Sequence, residues 1–176
     1  MKKLKRIAKF EKVSYEQFRQ DFIKCFEYYP MNYSEEDIKE IYDNIIVPTR
    51  ATSGSAGYDF KIPMDLTMDR TNEYVVPTGI RVKMDDGWVL KLYPRSGLGF
   101  KSGMRLLNTV GIIDSDYYHS DNEGHIMAKI SYEIGNSSLI LKEGYAFIQG
   151  VFVEYGITED DNVDTIRNGG FGSTGT

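Results

Sequence analysis

Val110-Gly111-Ile112-Ile113-Asp114-Ser115-Asp116-Tyr117 is the stretch on which the reading of this chain turns. Three β-branched residues and a glycine deliver a carboxylate, a second carboxylate two positions on, and then an aromatic ring. If the strand continued, its period of two would put Asp114 and Asp116 on one face, whereas a turn would aim them apart. Taken alone, the stretch reads as a strand end with acidic turn residues. Its neighbours share this texture. Ile80, Val82 and Met84 alternate with Arg81 and Lys83, Asp85-Asp86-Gly87 turns the chain, and Trp88, Leu90 and Leu92 alternate back, which predicts a hairpin. Ile126, Ala128, Ile130 and Tyr132 alternate again, Gly135 to Ser138 reads as a turn, Leu139 to Leu141 as a short strand and Phe147 to Tyr155 as a longer one. Many short strands at regular spacing predict an all-β sandwich or barrel from Pro48 onward.

Before Pro48 the pattern is helical. Arg6 to Val13 alternates loosely as a first strand, and Ser14 with Gln17 makes a capping-box pattern that opens a helix. Tyr15, Phe18, Phe22 and Phe26 recur on one face until Pro30 closes the segment. Ser34 starts a second helix with acids in its first turn and with Ile38, Ile41, Tyr42 and Ile45 on one face, closed by Pro48. Apolar stripes of this kind pack onto a domain's own surface, and a docking arm for a protein partner is the alternative. The expected organisation is a strand and helical pair over 1–47, a β domain over 48–163 and a Gly-rich segment over 164–176.

With 176 residues, 41% hydrophobic and 27% charged, the chain has the composition of a soluble domain able to bury a core. A formal net charge of -5 argues against binding polymeric nucleic acid, which calls for a basic face. The single cysteine, Cys25, forms no internal disulfide, reads as a small buried hydrophobe and points to a reducing cytoplasm. The basic start is not followed by the apolar run of a secretory signal, and no segment has the length of a membrane span. His119 and His125 read as surface or hairpin residues. Asp114 to Glu123 fails as a calcium loop because His119 occupies the position that demands glycine.

Four further segments complete the pattern: Ser55-Ala56-Gly57-Tyr58-Asp59-Phe60, Pro94-Arg95-Ser96-Gly97-Leu98, Gly144 through Gln149, and Arg167-Asn168-Gly169-Gly170-Phe171-Gly172-Ser173-Thr174-Gly175. With the opening stretch, in this order, they resemble the five motifs of the homotrimeric dUTPase (dUTP diphosphatase) family across roughly Val47 to Thr176. The resemblance implies a mainly β, distorted barrel or jelly-roll fold, here preceded by the helical pair. It also implies hydrolysis of dUTP to dUMP and pyrophosphate, which keeps uracil out of DNA.

That resemblance assigns roles. Asp114 would activate the attacking water, as an ionised carboxylate at neutral pH is able to do. Arg95 and Ser96 would act on the phosphates, the serine at the bridging oxygen where leaving charge grows, with Gly97 in the same turn. Gly111, Ile112, Ile113 and Asn108 would bring backbone and side chain to uracil, and Tyr117 would lie under the deoxyribose and exclude a 2′-hydroxyl. Met127 matches a residue near base or sugar. Asp59 and Gln149 would support the phosphates and touch Mg²⁺ only through water, the ion being held mainly by substrate phosphates. Arg167, Phe171, Gly172, Ser173 and Thr174 would fold over the nucleotide. Each site would be shared in a closed trimer: motifs one, two and four from one subunit, motif three from a second, the C-terminal motif from a third.

The chain departs from the family pattern in places. Tyr118 to Glu123 lengthen motif three, Tyr145 and Ala146 replace the usual acid and arginine of motif four, and Arg167 stands one residue closer to the double glycine than in many relatives. A dCTP deaminase, on the same fold, would need a glutamate where this chain has Lys129. A dUTPase-like regulator that binds a protein partner through the helical pair is the remaining alternative.

Overall fold

A computed structural model describes residues 4–26, 33–135 and 138–165. The C-terminal candidates Arg167, Phe171, Gly172, Ser173 and Thr174, and the helix stop at Pro30, lie outside the described residues. The chain opens with β1 (Ala8–Lys12), α1 (Tyr15–Phe26) and α2 (Glu35–Asn44), followed by β2 (Thr49–Arg50), β3 (Tyr58–Lys61), β4 (Leu66–Asp69) and β5 (Tyr74–Pro77). Next come β6 (Ile80–Met84), β7 (Trp88–Pro94), α3 (Ser96–Ser102), β8 (Arg105–Leu106) and β9 (Gly111–Ile113). A 3-10 helix (Ser115–His119), β10 (Met127–Ser131), β11 (Ser138–Leu141) and β12 (Ala146–Glu154) complete the described chain.

Among the described residues the strands form a five-stranded sheet in the order β2-β3-β12-β7-β9, a three-stranded sheet β5-β10-β8, and the two-stranded pairs β1-β6 and β4-β11. The mainly β architecture expected from strand spacing is the one observed. One pairing differs. The hairpin predicted for Ile80–Met84 and Trp88–Leu92 does not form: β6 pairs antiparallel with β1, while β7 crosses into the large sheet between β12 and β9. Alternation tells which face of a strand is buried, as it is at Ile80, Val82, Leu90 and Leu92, but it does not choose the partner. Phe10 of β1 supplies the missing reason, since its ring packs 5.5 Å from Phe60 and 5.7 Å from Phe152, fastening β1 and β6 against the large sheet.

Both N-terminal helices lie over the β core. Phe18, Phe22 and Phe26 of α1 and Ile38 and Ile41 of α2 are buried in one continuous apolar cluster with the sheets. Each such side chain contributes about 1.5–3 kcal/mol on leaving water. The helices close down on Gly79, which turns the chain at φ 70°, and a Cβ there would fall 2.2 Å from the Ile45 Cδ1 atom. Ser34 caps α2 in a complete capping box with Asp37. The box expected at α1 is only half made. The Gln17 amide does bond the Ser14 hydroxyl at 3.2 Å, but the Gln17 side chain turns to Asp21 at 2.8 Å. Its place is taken from the far end of the chain by Glu123, whose two oxygens accept the Ser14 amide and hydroxyl at 2.8 and 2.6 Å.

His125 is likewise not a surface residue: it is fully buried. Its Nε2 accepts the Gly79 amide at 2.8 Å, so the ring proton sits on Nδ1 and faces the Asp21 carboxylate at 2.7 Å. Burial pushes the Asp21 carboxyl up, but hydrogen bonds from His125 and Gln17 outweigh it and hold the group below its ordinary 3.8. A depressed folded-state value means stability that is complete above the ordinary value and is lost as pH falls through the lower one. Asp21→Ala is therefore expected to cost about 1–3 kcal/mol at pH 7, the range for orphaning a buried hydrogen-bonding group. In urea titrations the gap from the wild type should narrow steadily below about pH 4.

Candidate functional site

Strand β12 lies between β3 and β7, and its register decides which side chains meet. Gln149 stands opposite Asp59 on one side and Tyr93 on the other. Because cross-strand partners share a face, Gln149 and Asp59 point the same way, together with Lys61 two positions along β3 and Ala146 opposite it. A β-bulge between Ala146 and Ile148 keeps both pairs on that face despite their odd spacing in β12. At the end of β7, Arg95 caps α3 and swings its guanidinium onto the Asp59 carboxylate. The Gln149 amide reaches the Pro94 carbonyl at 3.4 Å.

The result is a cleft of about 270 Å³ lined by Asp59, Lys61, Arg95, Gly97, Leu98, Gly144, Tyr145 and Ala146. Pro94-Arg95-Ser96-Gly97 is more than a tight turn, since it starts the seven-residue helix α3. The Arg95 carbonyl receives the amides of Leu98 and Gly99, so those of Ser96 and Gly97 stand before the first intrahelical bond and are open to an acceptor. Ser96 and Gly97 are exposed. Two cations and one carboxylate leave the cleft net positive within a chain of net charge -5, which suits a phosphate ester. Inspection of the sequence missed Lys61. The signal lay in the register, for Lys61 faces Ala146, where the motif-four arginine would stand.

The remaining candidates among the described residues lie elsewhere in the chain. β9 pairs with β7 so that Ile113 faces Leu90 and Gly111 faces Leu92. Asp114 therefore leaves the sheet near a point six residues before Ser96, roughly 20 Å away at ~3.3 Å per residue. The strand does not continue: Asp114 precedes the 3-10 helix and Asp116 is inside it, so the two acids do not share a strand face. Ile112 is 52% exposed, whereas Ile113 and Gly111 are buried. Asn108 is exposed in the turn between β8 and β9, where its carbonyl accepts the Val110 amide at 2.7 Å. Met127 is half-buried at the start of β10, opposite Pro77. The Tyr117 ring is buried, its hydroxyl donating to the His125 carbonyl at 2.9 Å and accepting from Asn122 at 2.8 Å.

Other side chains are excluded from chemistry by their surroundings. Burial pushes the Cys25 thiol up to about 12, so no thiolate is available there at neutral pH. Among the described residues no group of three or more His, Cys, Asp or Glu side chains is placed to hold a metal ion. No helix among them is long and apolar enough to cross a membrane.

Comparison with known proteins agrees with the motif order. Residues 43–176 match the dUTPase family. The deoxyuridine 5′-triphosphate nucleotidohydrolase of Lactococcus lactis is 37% identical over 134 residues, covering 74% of this chain and 89% of its own. That of Wolinella succinogenes is 33% identical over 141 residues, covering 77% and 91%. The crystal structure of the Streptococcus mutans dUTPase superimposes with a TM-score of 0.61 at 30% identity, covering 85% of this chain and 98% of that one. The dUTPase of phage phi11 of S. aureus, described with a structural Mg(II) ion, shares the fold at 20% identity and a TM-score of 0.56. Motif order, cleft and relatives agree, and the chain belongs to the dUTPase family.

Proposed function

We propose that this protein is a dUTP diphosphatase, cytoplasmic and trimeric, which releases dUMP and pyrophosphate by water attack on the α-phosphorus. The observation that carries the reading is the net-positive cleft at the start of the motif-two helix, lined by Lys61, Arg95 and Gly97. A triphosphate repels any nucleophile until its charge is met, and these donors meet it. Asp59 holds the Arg95 guanidinium in place, and the Ser96 hydroxyl would donate to the α–β bridging oxygen as charge builds there.

Asp114 is the base in this scheme, taking a proton from the water that it orients. Asn108 and the backbone around Gly111, Ile112 and Ile113 would read uracil, Tyr117 and Met127 would border the sugar, and Arg167, Phe171, Gly172, Ser173 and Thr174 would cover the nucleotide. Mg²⁺ bound to the triphosphate oxygens would screen their charge. Asp59 and Gln149, side by side on β3 and β12, fit an outer role through water, because the Asp59 carboxylate is already engaged by Arg95.

Separation of Asp114 from the cleft within one chain supports sites shared between subunits, since base and phosphate donors are useful only together. The exposed face of Ile112 is suited to contact with a neighbour. Lys129, at the position where a dCTP deaminase needs its glutamate, is exposed and ion-paired with Glu73, which favours chemistry at phosphorus. The apolar stripes of α1 and α2 are consumed by the protein's own core, which weakens the protein-docking alternative.

Pyrophosphate release should be seen with dUTP and Mg²⁺ and fall sharply with dCTP, dTTP or UTP. No release from dUTP would overturn the assignment. Asp114→Asn should keep nucleotide affinity and lose about 10²–10⁴-fold in kcat. Lys61→Ala should weaken inorganic pyrophosphate binding by about tenfold or more in calorimetry, the loss of one charge-assisted contact. Co-expression of Asp114→Asn with Ser96→Ala chains should restore part of the activity that each lacks alone, because a mixed trimer regains an intact site. Absence of such complementation would place the whole site within one chain.

A further inference from the structure

The lengthened part of motif three, Tyr118 to Glu123, and the helical segment that opens at Ser14 both lie outside the motif pattern, and in the structure they meet. Glu123 accepts two hydrogen bonds from Ser14 at the start of α1. Tyr118 lies under the Arg81 guanidinium, 3.9 Å from its ring centroid, and its hydroxyl donates to Glu11 of β1 at 2.7 Å. Arg81 also stands 3.7 Å from Glu11 and 3.6 Å from Glu123, joining the two carboxylates. His125, just past the loop, is gripped by Asp21 of α1 and passes that grip through its carbonyl to the Tyr117 hydroxyl. Tyr118 within the 3-10 helix and Glu123 and His125 after it are thus tied to residues before number 22.

The loop cannot relax by itself. Gly124 sits at φ 71°, and a Cβ there would fall 2.7 Å from the Tyr117 carbonyl oxygen, so the chain folds back tightly on the 3-10 helix. Burial pushes the Glu123 carboxyl up, but the Ser14 donors and Arg81 hold it below its usual range, as expected of a working carboxylate cap.

We propose that the N-terminal strand and helix brace the catalytic turn, and that Glu123 is a positioning residue, holding Asp114 and Tyr117 through the 3-10 helix without touching substrate. The inference rests on the dUTP diphosphatase reading for its catalytic consequence alone. A brace on the base-bearing turn acts on kcat, while the phosphate cleft on β3, β7 and β12, which governs much of binding, is left intact.

Glu123→Gln in the full-length protein removes the charge that faces Arg81 and leaves one acceptor oxygen where the Ser14 amide and hydroxyl had two. Hydrogen exchange at the Tyr117 and Ser120 amides, which bond within the turn, should rise about tenfold while β7 and β12 keep their protection. Turnover of dUTP well below the melting temperature should lose about tenfold or more in kcat, within the ~10²-fold cost of an ångström of misplacement, with KM within about twofold of the wild type. If Glu123→Gln loosens the whole fold, Ser14→Ala removes the hydroxyl bond of the same link while leaving the Ser14 amide on Glu123, and supplies the deciding values. Unchanged exchange across the turn, or equal changes in kcat and KM, overturns the brace. A wild-type chain inert toward dUTP would overturn the assigned activity instead, and the exchange measurement would still decide the brace.

Discussion

Double pairing of β12, with β3 on one flank and β7 on the other, is the constraint from which the site follows. A strand bonded on both edges has no freedom to slip, and a slip of one residue would send Gln149 into the core and Phe147 or Ile148 into solvent. Held in this register, β12 brings a carboxylate, an amide and a lysine from two strands to one face, while the end of β7 delivers an arginine and the open amides of α3. Chemistry here is a consequence of ladder geometry.

The same sheet separates what the proposed reaction needs together. β9 runs antiparallel to β7, so the strand that presents Asp114 leaves the sheet at the opposite end from Ser96. No side-chain rotation spans that distance. The symmetric assembly proposed above answers this separation by setting one subunit's acidic turn over another's cleft, and half-exposed Ile112 is on the strand that would make the approach.

Much of this was legible in the sequence because it depends on local rules. Period-two alternation located β6, β7, β10 and β12, helical spacing located the faces of α1 and α2, and motif order placed Asp59, Arg95 and Gln149, which the fold gathers. What escaped depends on long-range pairing. Turn chemistry at Asp85-Asp86-Gly87 suits a hairpin, yet β1 takes that place through Phe10. Gln17 has the right spacing for the Ser14 box, yet a glutamate 109 residues away fills it. His125 reads as a surface or hairpin residue, whereas Asp21 and Gly79 close around it. Lys61 has no motif of its own and becomes visible only through its neighbour across the ladder.

The remote cap on α1 also bears on how the chain is made. A ribosome releases α1 long before Glu123 exists, and β1 must likewise wait for β6 some seventy residues on. In that interval Phe18, Phe22 and Phe26 have no sheet to cover them, and a helix of this length is marginal in water by itself. Tyr33 and Tyr42 reach the aromatic face of α1 soon after it is made, but the first segment translated completes its contacts only with strands made much later.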